Sequence, residues 1–371
     1  MASQLKDVLL VGLGAVGAIY SLILKRSGHA RVTVVARSNY EAVNAQGLHI
    51  KSGKYGELEG WRPDRLFPSV ASALDRPYSY VVVTTKAIPE LGTTSALLAP
   101  LLASPYADQH SQPIYVLMQN GLNVEADLYE SMKKANPYQE PRIISTAVWI
   151  GTGMPNGTTV EHNDFDRVSL GVYRPSSTIA TNTMEEASLL EDFERILAAG
   201  GSQTTIVPEI QRVKYTKNFW NACLGITAAL SRYPLPAIFR PPHLEPGASQ
   251  IASPEYEALM SEQPRTPTSH IPSASPAIRA YTIPLLYDAM CEIYELGTKL
   301  FPETAAGPGL DPEIVLKTLT NTSRLHANPD SKHRASTLVD VENGRPTEVE
   351  VIIGELVRMG RQRGVTMPAS D

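Results

Sequence analysis

The sequence predicts an α/β fold: a doubly wound, mostly parallel sheet over residues 1–208, followed by an all-α domain over residues 209–371. Three observations point there. A charge-free apolar run from Val8 to Leu24 is cut by Gly12, Gly14 and Gly17. Runs of β-branched residues then alternate with helical patterns as far as Pro208. Beyond Pro208 only helical periodicity remains.

The glycines follow the G-x-G-x-x-G spacing of a Rossmann-type turn, with an aliphatic strand (Val8–Val11) before them and helical spacing through Ile19, Leu22 and Ile23 after them. Gly12 allows the tight turn, Gly14 lets a pyrophosphate approach the backbone, and Gly17 lets the helix pack on the strand. The phosphates then lie over the positive end of the helix dipole. A membrane span or signal peptide accounts for the run less well. It is shorter than the roughly 20 apolar residues a spanning helix needs, Lys6 and Asp7 precede it, and no small-residue cleavage site follows.

Arg31–Ala36 reads as the second parallel strand and ends at Arg37. An NAD site places an acid near this point for the ribose 2′-hydroxyl, whereas Arg37-Ser38-Asn39 offers a guanidinium and neutral donors, which suits the 2′-phosphate of NADPH/NADP+. A solvated strand-end arginine is the plainer alternative. Residues 48–60 read as a hairpin around Ser52-Gly53-Lys54. Tyr80–Thr85 is the next buried strand and delivers Lys86 to the ligand edge, with a helix starting at Pro89. Ile114–Met118 delivers Gln119-Asn120-Gly121, where Asn120 is a candidate for ribose or substrate contact and Asn-Gly is also an ordinary turn pair. Ile143–Ile150, a hairpin through Thr158–Val160 and Val168–Leu170, a helix over Glu185–Ala199 and a short strand over Thr204–Val207 complete this half.

The second half opens with Gln211–Leu230, read as one long helix that places Lys217, Asn221 and Gly225 at i, i+4 and i+8. Apolar neighbours such as Phe219, Trp220 and Leu224 leave Lys217 little water, which singles it out from an ordinary surface lysine. Residues 233–276 hold ten of the 29 prolines and read as an insertion or mobile loop outside the core. Helices resume over Ala277–Leu300 and from Asp311, and Lys332–Asp340 ends a further helix. Thr347–Glu350 has the T-x-x-E form of a capping box, so Glu348 is expected in the first turn of a helix running to about Arg363.

Composition narrows the function. A chain of 371 residues with 43% hydrophobic and 19% charged residues is a soluble globular protein of two domains. A net charge of -5 argues against nucleic acid or an anionic membrane surface as partner. Two cysteines, Cys223 and Cys291, point to a reducing, cytoplasmic location without a disulfide framework. The eight histidines lack close ligand spacing, so no metal is expected.

Taken together, the sequence resembles the ketopantoate reductase family, the 2-dehydropantoate 2-reductases. The resemblance is carried by Gly12, Gly14, Gly17 and Arg37, by Thr85-Lys86-Ala87 and Gln119-Asn120-Gly121, by Lys217 and Asn221, and by Ser336, Asp340 and Thr347-Glu348. It implies a Rossmann domain followed by a helical domain, NADPH as cofactor, and a small carbonyl substrate, by default 2-dehydropantoate reduced to pantoate for pantothenate biosynthesis. It further implies Lys217 as general acid, Glu348 orienting the substrate or the catalytic network, Asn221, Ser336 and Asn120 on the substrate, and Lys86 and Asn120 on the cofactor side. A homodimer is compatible with it.

The chain departs from the family at Gly225, where a second substrate asparagine is usual, and at Val148-Trp149, where small residues are usual. It also stops at Met367-Pro368-Ala369-Ser370-Asp371, where relatives continue into a last helix. Gly225 and Trp149 raise the alternative of a bulkier, less polar carbonyl substrate. A non-catalytic NADP(H)-binding protein is the rival of a different class, and the joint presence of Lys217, Asn221, Ser336 and Glu348 argues against it.

Overall fold

The computed structural model describes residues 5–175, 181–249, 251–261, 266–304 and 309–369. These fall into two compact units, Met1–Lys214 and Tyr215–Asp371. The first is built on a ten-stranded sheet.

Strand β1 (Lys6–Val11) enters the glycine turn, and α1 (Ala15–Arg26) returns the chain to β2 (Ala30–Val35), which pairs parallel with β1. Then come α2 (Tyr40–Gln46), the antiparallel hairpin β3 (Leu48–Ser52) and β4 (Gly56–Trp61), and the short β5 (Arg65–Phe67) beside β2. The chain next crosses to the other side of β1. There β6 (Tyr80–Val83) pairs parallel with β1, and after α3 (Thr94–Leu102) and α4 (Tyr106–Gln109) β7 (Ile114–Leu117) extends the sheet. Helix α5 (Ala126–Ala135) leads to β8 (Ile143–Gly153), which is antiparallel to β9 (Thr159–Val172). Helix α6 (Met184–Ala199) starts from a formed capping box between Thr183 and Glu186, and β10 (Gln203–Ile206) lies parallel to β9.

The strands are apolar on both faces because both faces are covered. Val8 and Leu10 of β1 pack with Ile19, Tyr20, Ile23, Phe193 and Leu197 from α1 and α6. Leu9 and Val11 face the other way, towards Leu98, Leu101 and Leu128 of α3 and α5. The apolar run from Val8 is thus a strand and a helix of one core, and among the described residues no helix is long and apolar enough to cross a membrane. The expected helix at Pro89 begins later, at Thr94, where the Thr93 side chain accepts from the Ala96 N–H; residues 89–92 form turns instead.

Helix α7 (Ile210–Phe219) runs across the boundary into the second unit. The single long helix expected over 211–230 is corrected here. A π turn, Trp220–Gly225, separates α7 from α8 (Ile226–Ser231), so the even i, i+4, i+8 stripe is not kept. The proline-rich stretch is also corrected, because it contributes to the core. Helices α9 (Pro236–Phe239) and α10 (Pro254–Ser261) form within it, and Leu235, Phe239 and Ile271 are fully buried. Proline at the first helical position costs nothing there, since its missing N–H has no helical partner anyway. Residues 250 and 262–265 of this stretch lie outside the description.

The remaining helices are α11 (Ile283–Leu300), α12 (Ile314–Ala327), α13 (Ser336–Glu342) and α14 (Glu355–Arg363). Lys332–Ala335 is not helical, and a π turn, Glu350–Gly354, precedes α14. Tyr215 anchors this unit, donating its hydroxyl to the Ile293 carbonyl at 2.6 Å and meeting the Phe219 and Phe301 rings edge-on.

Candidate active site

In the sheet order, β1 stands between β6 and β2, and the chain winds outward from it in both directions. A doubly wound sheet binds its ligand outside the carboxyl ends of the strands at that reversal. Val11 is level with Val35 and Val83, and Val83 with Leu117. Gly12, Arg37, Lys86 and Asn120 therefore all follow the carboxyl ends of adjacent strands in the first unit.

The glycine turn is enforced on two sides and open on the third. Gly12 has a φ of +109°, and a Cβ there would lie 2.8 Å from the Thr85 nitrogen. A Cβ on Gly17 would lie 1.9 Å from the Gly12 carbonyl oxygen, which also accepts from Thr84 Oγ1 at 2.6 Å. Gly14 caps α1 and has nothing within 4 Å of its Cβ position. An exposed helix start with no capping side chain and no acid in its first turn is a cradle for a phosphate. The residues present fit a dinucleotide.

Arg37 is exposed, and its guanidinium has no hydrogen bond or ion pair among the described residues. Asn39, in contrast, is already engaged. Its amide donates to the Leu13 carbonyl at 2.9 Å and the Gly157 carbonyl at 3.1 Å, holding the glycine turn rather than offering itself to a ligand. Lys86 is exposed and Asn120 half-buried. Beside them Gln119 donates to the Thr85 carbonyl at 3.0 Å, fastening the loop after β7 to the loop after β6. Trp149 on β8 lies under the Arg167 guanidinium, 4.6 Å from its ring centre.

Sequence reasoning missed a buried polar group in this unit. Glu125, at the start of α5, accepts from the Ser145 hydroxyl and pairs with the Lys214 ammonium. Local sequence carries no sign of it beyond a lysine flanked by Val213 and Tyr215.

In the second unit Lys217 and Asn221 are half-buried on one helical run, Asn221 inside the π turn. Helix α13, which begins at Ser336, packs on α8 and on that turn, and the π turn after Glu348 packs on it too. Asn218 strengthens this contact by donating to the Ile352 carbonyl at 2.8 Å. Glu348 is buried and stands just ahead of its helix, its carbonyl accepting from the Ile352 N–H at 3.1 Å. The capping box is therefore corrected: the helix begins at Val349, and Glu350 pairs with Arg358 instead of reaching back. Cys223 is buried in the π turn, and burial pushes its thiol up to about 12, which makes it inert. Of metal-ligating residue types, His49, Glu57 and Glu59 cluster on the β3–β4 hairpin, where His49 Nε2 and Glu57 Oε1 are 2.7 Å apart as an ordinary surface pair.

An open glycine turn at the reversal of a doubly wound sheet, with a helical unit after it, defines a dinucleotide-binding α/β protein with an appended helical unit. The family description "Ketopantoate reductase PanE/ApbA" matches residues 8–175, and its C-terminal counterpart matches residues 209–371. The chain belongs to the ketopantoate reductase family; it is an oxidoreductase working with a nicotinamide cofactor. It is 26% identical to the uncharacterized protein YDL144C of Saccharomyces cerevisiae, over 97% of this chain and 89% of that one. It shares its fold with 2-dehydropantoate 2-reductase from Methylococcus capsulatus (23% identity, TM-score 0.67, covering 98% and 93% of the two chains). It also shares it with a D-mandelate dehydrogenase solved with NADH and anilino(oxo)acetate (17% identity, TM-score 0.66, covering 98% and 95%).

Proposed function

We propose that the protein reduces a 2-oxo acid to the 2-hydroxy acid with NADPH, 2-dehydropantoate being the default substrate. The observation that carries this reading is the open, enforced glycine turn at the sheet reversal, in a chain whose family match continues through the helical unit. The same fold accompanies NADH in the D-mandelate dehydrogenase, so the choice of dinucleotide rests on Arg37 rather than on architecture. Gly12, Gly14 and Gly17 hold the pyrophosphate, Arg37 the 2′-phosphate, and Lys86 and Asn120 the rest of the dinucleotide.

A nicotinamide, when bound, would supply the hydride for the carbonyl carbon. Lys217 gives its proton to the carbonyl oxygen, so that together with the hydride the C=O bond becomes CH–OH. A cation at that oxygen also stabilises the developing alkoxide. Asn221 and Ser336 orient the substrate by neutral hydrogen bonds, Asn120 assists from its strand end, and Glu348 orients the network. A second reading, a bulkier and less polar 2-oxo acid, is favoured by Gly225 in place of a recognition amide.

The test is oxidation of NADPH and NADH, side by side, with a panel of 2-oxo acids. Lys217→Ala is expected to lower kcat by about 10²–10⁴-fold, the range for removing a general acid, with NADPH still bound. Absence of turnover across the panel, with NADPH bound, favours the non-catalytic binder; preference for NADH overturns the role of Arg37.

A further inference from the structure

Four parallel strands of the first unit start along one edge of the sheet. Lys6 opens β1, Tyr80 opens β6, Ile114 opens β7, and Arg142 stands immediately before β8. This is the edge opposite to the one where Gly12, Lys86 and Asn120 follow their strands. Two adjoining hollows are cut into it, of about 440 and 460 Å³, each within the size range of small-molecule sites. They share Ser79, Ile114 and Arg142.

The two hollows differ in charge. The first is lined by Lys6 and Arg142 but also by Glu185 and Asp192, so its charges cancel. Asp192 is already engaged, accepting from the Tyr80 hydroxyl at 2.6 Å and pairing with Lys6 at 3.1 Å and with Arg195. In the second hollow Arg142 is the only permanently charged residue, and no carboxylate lines it. Its Gln112 is spent on the fold, donating to the Leu101 carbonyl at 2.9 Å and accepting from the Tyr115 hydroxyl at 2.7 Å. The Ser79 and Ser111 hydroxyls, the Gln109 amide and the His110 ring, by contrast, have no hydrogen-bond partner among the described residues.

Arg142 itself commits only Nη2, to the Glu185 carboxylate at 2.9 Å, and the two side chains are 53% and 74% exposed. An exposed pair of this kind is held weakly. A carboxylate presented from the second hollow can therefore take the guanidinium fork in place of Glu185. A dianion such as phosphate is less well served, with one cation in this hollow and two carboxylates in the next. The neutral donors and acceptors around the guanidinium suit hydroxyl groups on the rest of the ligand.

We propose that this hollow binds a small hydroxylated monocarboxylate, with its carboxylate on Arg142 and its hydroxyls among Ser79, Gln109, His110 and Ser111. The site is separate from the glycine turn and does not depend on the reductase reading.

The experiment measures binding of D-glycerate, glycerol and inorganic phosphate to the full chain by saturation-transfer NMR. Glycerate is expected to bind, glycerol to give no response, and phosphate to bind at least about fivefold more weakly. Arg142→Gln is expected to weaken glycerate about tenfold or more, the scale of a hydrogen bond to a charged group, and to leave NADPH affinity within about twofold, which shows the variant folded. Glu185→Gln, which removes the competing carboxylate, is expected to tighten glycerate about two- to fivefold. Lys217→Ala is expected to leave glycerate bound, which separates this hollow from the reductase site. If glycerate does not bind, if glycerol matches it, or if Arg142→Gln leaves it unchanged, the proposal falls. It also falls if Lys217→Ala abolishes binding, and phosphate binding more tightly than glycerate overturns the monocarboxylate assignment.

Discussion

Lys214 pairs with Glu125 out of contact with solvent, the two side chains exposed by only 6% and 2% and separated by 89 residues of sequence. Such a pair contributes little net stability against well-packed apolar residues, but breaking it strands a buried charge at a cost of about 3–5 kcal/mol. Glu125→Ala is expected to lose that much in urea unfolding. Lys214→Met combined with Glu125→Leu is expected to recover most of it.

The exposed Arg37 side chain has no hydrogen bond or ion pair among the described residues, so replacing it breaks none. Arg37→Glu is expected to change stability by less than about 0.5 kcal/mol, as at other uncommitted surface sites. Its loss should appear instead in NADPH binding, weakened about 10–100-fold, since a hydrogen bond to a charged group contributes about 1.5–3 kcal/mol. NADH affinity should hold or improve. Fluorescence titration of both dinucleotides checks this.

Gly17 tests the turn itself. An alanine methyl 1.9 Å from the Gly12 oxygen forces α1 away from the loop. Overpacking costs about 1–3 kcal/mol, and here it falls on the geometry proposed to hold the pyrophosphate. Gly17→Ala is expected to weaken NADPH and NADH alike by about tenfold or more, in contrast to the selective effect at Arg37.

His326 gives the helical unit an acid limit. Its imidazole is depressed from an ordinary value of 6.5 to about 4, first by burial and then by the charges of His333 and Arg240. Between those values the unfolded chain holds a proton that the folded chain does not, so stability rises with pH across the window. The contribution is complete above about pH 6.5 and is lost as pH falls towards 4. His326→Gln is expected to flatten the dependence of Tm on pH in that window.

The parts legible in the sequence were those fixed by local rules. The glycine spacing, the β-branched runs of β1, β2, β6 and β7, and the Ser52-Gly53-Lys54 hairpin each follow from backbone sterics or one-dimensional periodicity. The π turns were not legible, because one added residue leaves apolar spacing in a buried helix unchanged in character. Strand β5 has three half-buried residues and no periodicity to read. The proline-rich stretch misled because proline abundance was read as absence of core, while Pro236 in fact starts a helix that buries Ile238 and Phe239. Asn39 looked like a ligand donor until its carbonyl partners, Leu13 and Gly157, were placed beside it.

The π turn between Trp220 and Gly225 behaves as a phase shifter. It holds one residue more than an α turn, and each residue of an α-helix advances the direction by about 100°. Deleting a single residue inside it would leave Lys217 where it is and swing Gly225 and α8 around the axis by that amount. Lys217 and Gly225 thus occupy one helical run in two independent phases. On the roles proposed above, an insertion or deletion at this joint retunes substrate choice while leaving the proton donor in place.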